Sequence, residues 1–265
     1  METPDCTACE KFIELEQALE NQQFEMFIQL VYDIRAKTFT GVEALARWRH
    51  PDKGTLSPAG FMPDLQRCGL VDRLDFYMLE KGCRLLEAWK HSNLDNLHLS
   101  CNFSRISISA PDFKARFDEI VGRYDFDHSN LILEITEDSL AEDAEAAHRN
   151  IAECTACGFR AALDDMGVGY TSFLDLCDYP VDRIKIDRAI VKRCITPRGR
   201  AVLTEITQLA HHLDMKVLCE GVETDAERTA VEECGCDYIQ GFYYSHVLPV
   251  DKAMEQYRQS RSTEK

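Results

Sequence analysis

The sequence predicts an α/β protein closed into a (β/α)8 barrel whose first two strands run antiparallel. Three observations carry this expectation. The chain has 265 residues, comfortable for one barrel domain of typically ~250 residues. From residue 96 onward, short apolar runs alternate with longer stretches of helical periodicity, the pattern of parallel strands joined by crossover helices. Near the start, two strand-like runs are separated only by Asp33-Ile34-Arg35-Ala36-Lys37, a hairpin-like connection too short for a crossover, so they pair antiparallel.

In chain order, Phe12, Leu15, Ala18 and Leu19 form an apolar stripe at helical spacing that ends before Asn21-Gln22-Gln23. Strands are expected over 24–31 and 38–47, and the polar run 50–60, with its proline and glycines, reads as a loop. Leu74, Met78, Cys83, Leu86 and Trp89, with charges between them, mark a long helix, and 96–103 a strand. Helical stretches over 113–123, 141–157, 200–213 and 226–233 then separate strands over 131–135, 159–163, 184–186, 216–219 and 238–242. The strands number eight, which suggests closure rather than an open sheet. The first ~10 residues and the tail from Gln259 are expected to lack regular structure.

Composition excludes several classes. The longest apolar run falls well short of the ~20 residues of a membrane span, so no membrane is expected to be a partner. A net charge of −16 with pI near 4.9 repels a polyanion, and no lysine and arginine cluster opposes it, so duplex nucleic acid is excluded. The N-terminus lacks a secretion signal, which places the twelve cysteines in a reducing cytosol and the protein in the cytoplasm. Cys6-Thr7-Ala8-Cys9 and Cys154-Thr155-Ala156-Cys157 have the spacing of redox or zinc half-sites, but neither has a matching second half, and both read as free or packed thiols. A redox-gated regulator is the alternative these pairs offer; unchanged turnover with and without reductant would eliminate it.

The chemistry gathers around Asp164-Asp165-Met166-Gly167-Val168-Gly169, which follows a strand-like run. Successive strand residues point to opposite faces, so two adjacent carboxylates converge only where a strand ends. Alone this reads as a turn. Yet polar residues recur near the C-terminal end of strand after strand: Glu43, Asn102, Glu134, Asp164 with Asp165, Lys185 with Asp187, Glu220 and Gln240. In a barrel these ends meet at one mouth. Two carboxylates ~4 Å apart repel by roughly 4 kcal/mol at an effective dielectric of 20, so converging acids need protons or cations. Carboxylate and amide oxygens without histidine or cysteine suit Mg²⁺ or Mn²⁺, and two such ions suit phosphoester cleavage.

Glu43-Ala44-Leu45-Ala46-Arg47-Trp48, Asn102-Phe103-Ser104, Glu134-Ile135-Thr136-Glu137, Asp164-Asp165-Met166-Gly167, Lys185-Ile186-Asp187, Glu220-Gly221-Val222-Glu223-Thr224 and Gln240-Gly241-Phe242 resemble, in order and spacing, the EAL-domain cyclic di-GMP phosphodiesterases. The resemblance runs from about 12 to 257, so all of 1–265 is expected to be one such domain. It implies a modified TIM-type barrel that hydrolyses cyclic di-GMP to linear pGpG, lowering a bacterial second messenger. By motif, Glu43, Asn102, Glu134 and Asp164 would hold one Mg²⁺ or Mn²⁺, and Asp164, Asp165 and Glu220 a second. Glu220 would also be the general base, Lys185 would contact the nucleophilic water, and Asp187 a metal-bound water. Gln29, Leu45, Arg47 and Gln240 would contact the ligand, while Glu137 and Glu223 would support the loops. A homodimer is implied through the barrel face next to the 165–178 loop.

The chain departs from the family pattern where Met166 stands for Phe, Val168 for Thr, Leu30 for Pro, and Leu65-Gln66-Arg67 for an Ala-Glu-Glu run. Every metal-ligand position keeps its residue type, so an active enzyme is expected, with a dinucleotide-binding or partner-binding module of weak or no activity as the alternative. Arg67 is expected to face solvent.

Overall fold

Strands β1 (Phe24–Asp33) and β2 (Thr38–His50) pair antiparallel from Phe24 opposite Trp48 to Asp33 opposite Thr38, which places Gln29 beside Glu43. This is the hairpin that the short connection requires. A computed structural model describes residues 6–92, 94–136, 144–167, 176 and 180–263. Beyond a short strand β3 (Gly54–Leu56), the parallel strands are β4 (His98–Phe103), β5 (Leu131–Thr136), β6 (Arg160–Met166), β7 (Arg183–Ile186), β8 (Lys216–Cys219) and β9 (Tyr238–Ile239). β2 pairs with β4 in parallel, and β9 closes back onto β1 antiparallel, making a closed mixed barrel of eight strands. The expected fold class is therefore the observed one.

The parallel strands read as near-continuous apolar runs because they are covered on both faces. In β5, Leu131, Ile132, Leu133 and Ile135 are buried with Glu134 among them. Helices α1 (Cys6–Glu20), α2 (Met62–Cys68), α3 (Val71–Lys90), α4 (Arg105–Ile108), α5 (Phe113–Val121), α6 (Ala144–Ala156), α7 (Arg188–Val191), α8 (Pro197–His212), α9 (Asp225–Glu233) and α10 (Val250–Thr263) are described around the strands. Sequence-local capping sets several starts. Thr196 accepts from Gly199 N before Pro197 opens α8, and Thr224 with Glu227 forms a reciprocal capping box on α9. Aromatic packing fills the layer between strands and helices, with Phe103 edge-on to Phe113 and Phe117 edge-on to Phe159.

Four local expectations are corrected. The 50–60 loop contains β3, which extends the hairpin antiparallel on β2. The tail from Gln259 is helical to Thr263, because Ala253, Met254 and Tyr257 form a short buried face on an otherwise polar helix. Helix α1 already includes Cys6, inside the first ten residues. The last barrel strand ends at Ile239 rather than 242: Gly241 packs so tightly on Val222 that a Cβ there would lie 2.1 Å from the Val222 carbonyl oxygen.

Candidate metal centre at the barrel mouth

Register gathers the polar residues. In adjacent parallel strands, residues paired across the ladder point to the same face, so Asn102 beside Glu134, and Asp164 two positions beyond Ala162, which pairs with Glu134, project into the lumen together. The antiparallel hairpin adds Glu43 and Gln29. Lys185 enters from β7, while Glu220 and Gln240 follow the ends of β8 and β9.

The Asp164-Asp165 pair is built differently from the expectation. The strand does not end there; it runs to Met166 with a break in register between Leu163 and Met166, and Asp165 adopts the left-handed conformation at φ 57°. This bulge re-aims the second carboxylate. Asp164 Oδ1 accepts the Asp165 backbone N–H at 2.9 Å, which stabilises the bend.

Two overlapping carboxylate groups result. Glu43, Glu134 and Asp164 offer oxygens within 4.8 Å of one another, as do Asp164, Asp165 and Glu220, so Asp164 is common to both. Lys185 sits between them, its Nζ 2.7 Å from Glu220, 2.8 Å from Glu134, 3.1 Å from Asp164 and 3.7 Å from Glu43. Its ammonium is almost fully buried; burial opposes its charge, but the surrounding carboxylates outweigh burial and hold its pKa well above the ordinary value. The acids are pushed the other way. Burial raises Glu134 to about 7 and Glu220 to about 8 despite the lysine, and burial with the Asp164 charge also raises Asp165.

The amides complete the first group. Asn102 Nδ2 donates to Glu43 at 2.9 Å, and Gln240 Nε2 donates to the other Glu43 oxygen at 2.5 Å and to Gln29 at 3.1 Å. Gln29 is fixed in turn by donating to the Ser245 carbonyl at 2.8 Å. Among the described residues, buried Gln240 Oε1 has no hydrogen-bond donor. The donor set fits hard divalent cations: every donor is an oxygen, the acids carry more negative charge than one ammonium offsets, and a buried acceptor stands unpaired beside them.

The remaining expected site residues lie as follows. Arg47 and Leu45 are half-buried on β2, with Arg47 donating to the Ala46 carbonyl and lying 5.7 Å from the Phe27 ring centre. Asp187 caps α7 through the Ala189 N–H at 2.7 Å, outside both carboxylate groups, although its charge helps raise Asp165. Glu223 pairs with Lys192 at 3.0 Å, away from the acids. Glu137, Val168 and most of the 165–178 loop lie outside the described residues. Met166 is buried and pairs with Ile186, Leu30 is buried within β1, and Arg67 faces solvent, paired with Asp64.

The expectation of free or packed thiols holds for Cys154 and Cys157. Cys154 is buried, its thiol pushed up to about 12 by burial, whereas Cys157 is exposed; both are free. Cys219 and Cys236, too far apart in sequence to form a motif, have sulfurs 3.4 Å apart.

The sequence profile described as the EAL domain matches residues 13–247. Over 242 residues the chain is 29% identical to MucR of Pseudomonas aeruginosa, a bifunctional diguanylate cyclase/cyclic di-GMP phosphodiesterase, covering 91% of this chain and 35% of that protein. Over 235 residues it is 30% identical to the cyclic di-GMP phosphodiesterase RocR of the same organism, covering 88% and 59%. The chain thus spans about a third of the first relative and three-fifths of the second. The solved PaMucR phosphodiesterase, in complex with c-di-GMP, superposes with a TM-score of 0.86 at 29% identity, covering 92% of this chain and 99% of that one.

Proposed function

The chain belongs to the EAL domain family, and from that premise we propose that it is a metal-dependent phosphodiesterase that hydrolyses cyclic di-GMP to linear pGpG. The observation that carries this reading is the pair of carboxylate groups sharing Asp164 at the barrel mouth. Glu43, Asn102, Glu134 and Asp164 would hold one Mg²⁺ or Mn²⁺, and Asp164, Asp165 and Glu220 a second. Ions held there would supply Lewis acidity, lowering the pKa of a water and offsetting charge on the attacked phosphate.

The protein's own groups do the rest. Glu220, 2.7 Å from the Lys185 ammonium, takes the proton of the attacking water as general base. Lys185 holds its proton at Nζ and keeps a fixed positive charge beside Glu220 and Glu134, where negative charge develops. Gln29 and Gln240 brace Glu43, and Arg47 and Leu45, half-exposed on the same hairpin, meet phosphate and base. Asp187 orders water beside Asp165, and Glu137 and Glu223 steady the loops around the mouth. The protein works in the cytoplasm as a homodimer through the face beside the 165–178 loop.

A second reading is favoured by one observation: the Lys185 ammonium already offsets part of the acid cluster, so the mouth could bind the dinucleotide without ions and without cleaving it. Incubation of purified protein with cyclic di-GMP and Mg²⁺ or Mn²⁺ separates the two. Hydrolysis predicts pGpG from the parent and none from Glu43→Ala. Binding without product supports the second reading, and product from both proteins contradicts the assigned site.

A further inference from the structure

Three basic side chains stand inside the opposite end of the barrel. His98 opens β4 four residues before Asn102, Arg160 opens β6 four before Asp164, and Arg183 opens β7 two before Lys185. The two-residue period of a strand aims these side chains into the same lumen as the acids, at its floor. Arg183 is buried, its guanidinium 4.3 Å from the Tyr238 ring centre, and Arg160 and His98 are half-buried beside it. Among the described residues neither guanidinium has a carboxylate within ion-pair distance. Nearby acids are bonded to other groups, Asp182 to the Ala161 N–H, Asp237 to His211 and Lys216, Asp127 to Ser129 and Glu134 to Lys185, although the Asp127 and Glu134 charges act on Arg160 and Arg183 at longer range.

The histidine says what is missing. Arg160 Nη1 lies 3.4 Å from His98 Nε2, and a guanidinium has only donors, so Nε2 accepts. Burial and the two arginines push His98 down to about 4, so the ring is neutral and its proton resides on Nδ1. The Ser129 backbone and the Asn130 side chain interact weakly with the ring and favour its proton, but among the described residues the buried Nδ1 has no partner at full hydrogen-bond geometry. Arg160 and His98 thus meet donor to acceptor, and Arg183, bonded to Tyr238, adds a second cation that acts on both, with no acceptor shared by the three among the described residues. A buried donor without an acceptor costs about 1–3 kcal/mol, and adjacent guanidiniums repel.

We propose that the floor of the barrel, formed by His98, Arg160 and Arg183, is a second ligand site that takes a small tetrahedral oxyanion, a phosphate group either free or carried on a nucleotide. An oxyanion accepts from all three groups at once and neutralises the arginine pair. The inference is independent of what the mouth does.

Thermal unfolding of the full chain, in chelator to keep metal from the mouth, tests it. Inorganic phosphate, against sodium chloride at equal ionic strength, should raise Tm saturably, by about 3–6 °C at ten times the half-saturating concentration. Glu43→Ala should keep the rise. Arg160→Gln, at a half-exposed position, and Arg183→Met should lose it. Guanosine 5′-monophosphate should act like phosphate if the nucleotide-borne group is accepted, only inorganic phosphate should act if the free ion alone fits, and guanosine should do nothing. No rise in the parent, an equal rise in Arg160→Gln, loss of the rise in Glu43→Ala, or a rise with guanosine would overturn the assignment.

Discussion

Lys185 is the residue on which the mouth turns. Its ammonium is the counter-charge for acids on four different strands or strand ends, and breaking a buried pair by removing one partner typically costs about 3–5 kcal/mol. Lys185→Met should therefore lower the stability of metal-free protein by that order, and divalent ions should restore part of it; equal Tm losses with and without Mn²⁺ would separate Lys185 from the acids. Hydrolysis should fall by about a hundredfold or more. The raised acids set a second expectation. Glu134 and Glu220 bind protons more tightly folded than at their ordinary value of 4.5, with folded values of about 7 and 8. Their contribution to stability is full below pH 4.5 and is lost as pH rises toward 8. In chelator, Tm should thus fall between pH 5 and 8, and Mn²⁺, which displaces those protons, should flatten the fall. A Tm that rises over that range in chelator would contradict the assignment. These side chains were legible in the sequence because each is a polar residue inside or ending an apolar strand. The floor bases were not, since His98, Arg160 and Arg183 sit at strand starts, where a charged residue is ordinary.

At the scale of elements, a few backbone features aim the site. The break in β6 and the left-handed Asp165 let two neighbouring carboxylates serve one mouth, and the tight seat of Gly241 on Val222 sets where Gln240 meets Glu43. Gly241→Ala would drive a methyl into backbone atoms that have nowhere to move, and should cost about 1–3 kcal/mol with loss of hydrolysis. Unchanged stability and turnover would show that this approach does not position Gln240. The sequence foretold paired acids at a strand end, but a bulge depends on the partner strand's register, which no local pattern records. The same limit explains the 17-residue separation of Cys219 and Cys236 and the C-terminal helix, whose three buried residues are too few to stand out against its charges.

For the whole molecule, the alternation of strands and helices and the short hairpin foretold the closed barrel with its antiparallel opening, because each follows from local periodicity and connection length. Closure then stacks acids at one end of the lumen and bases at the other, an arrangement visible only in three dimensions. If the acidic end holds two ions, each Mn²⁺ site filled at a hundred times its dissociation constant should raise Tm by about 5–11 °C, and Glu43→Ala should shrink the rise. The most direct test is anomalous diffraction from a crystal soaked in Mn²⁺ and cyclic di-GMP. Two peaks are expected, one among Glu43, Asn102, Glu134 and Asp164 and one among Asp164, Asp165 and Glu220, both touching Asp164. A soaked crystal with nucleotide at the mouth and no manganese on Asp164 would contradict the two-ion centre.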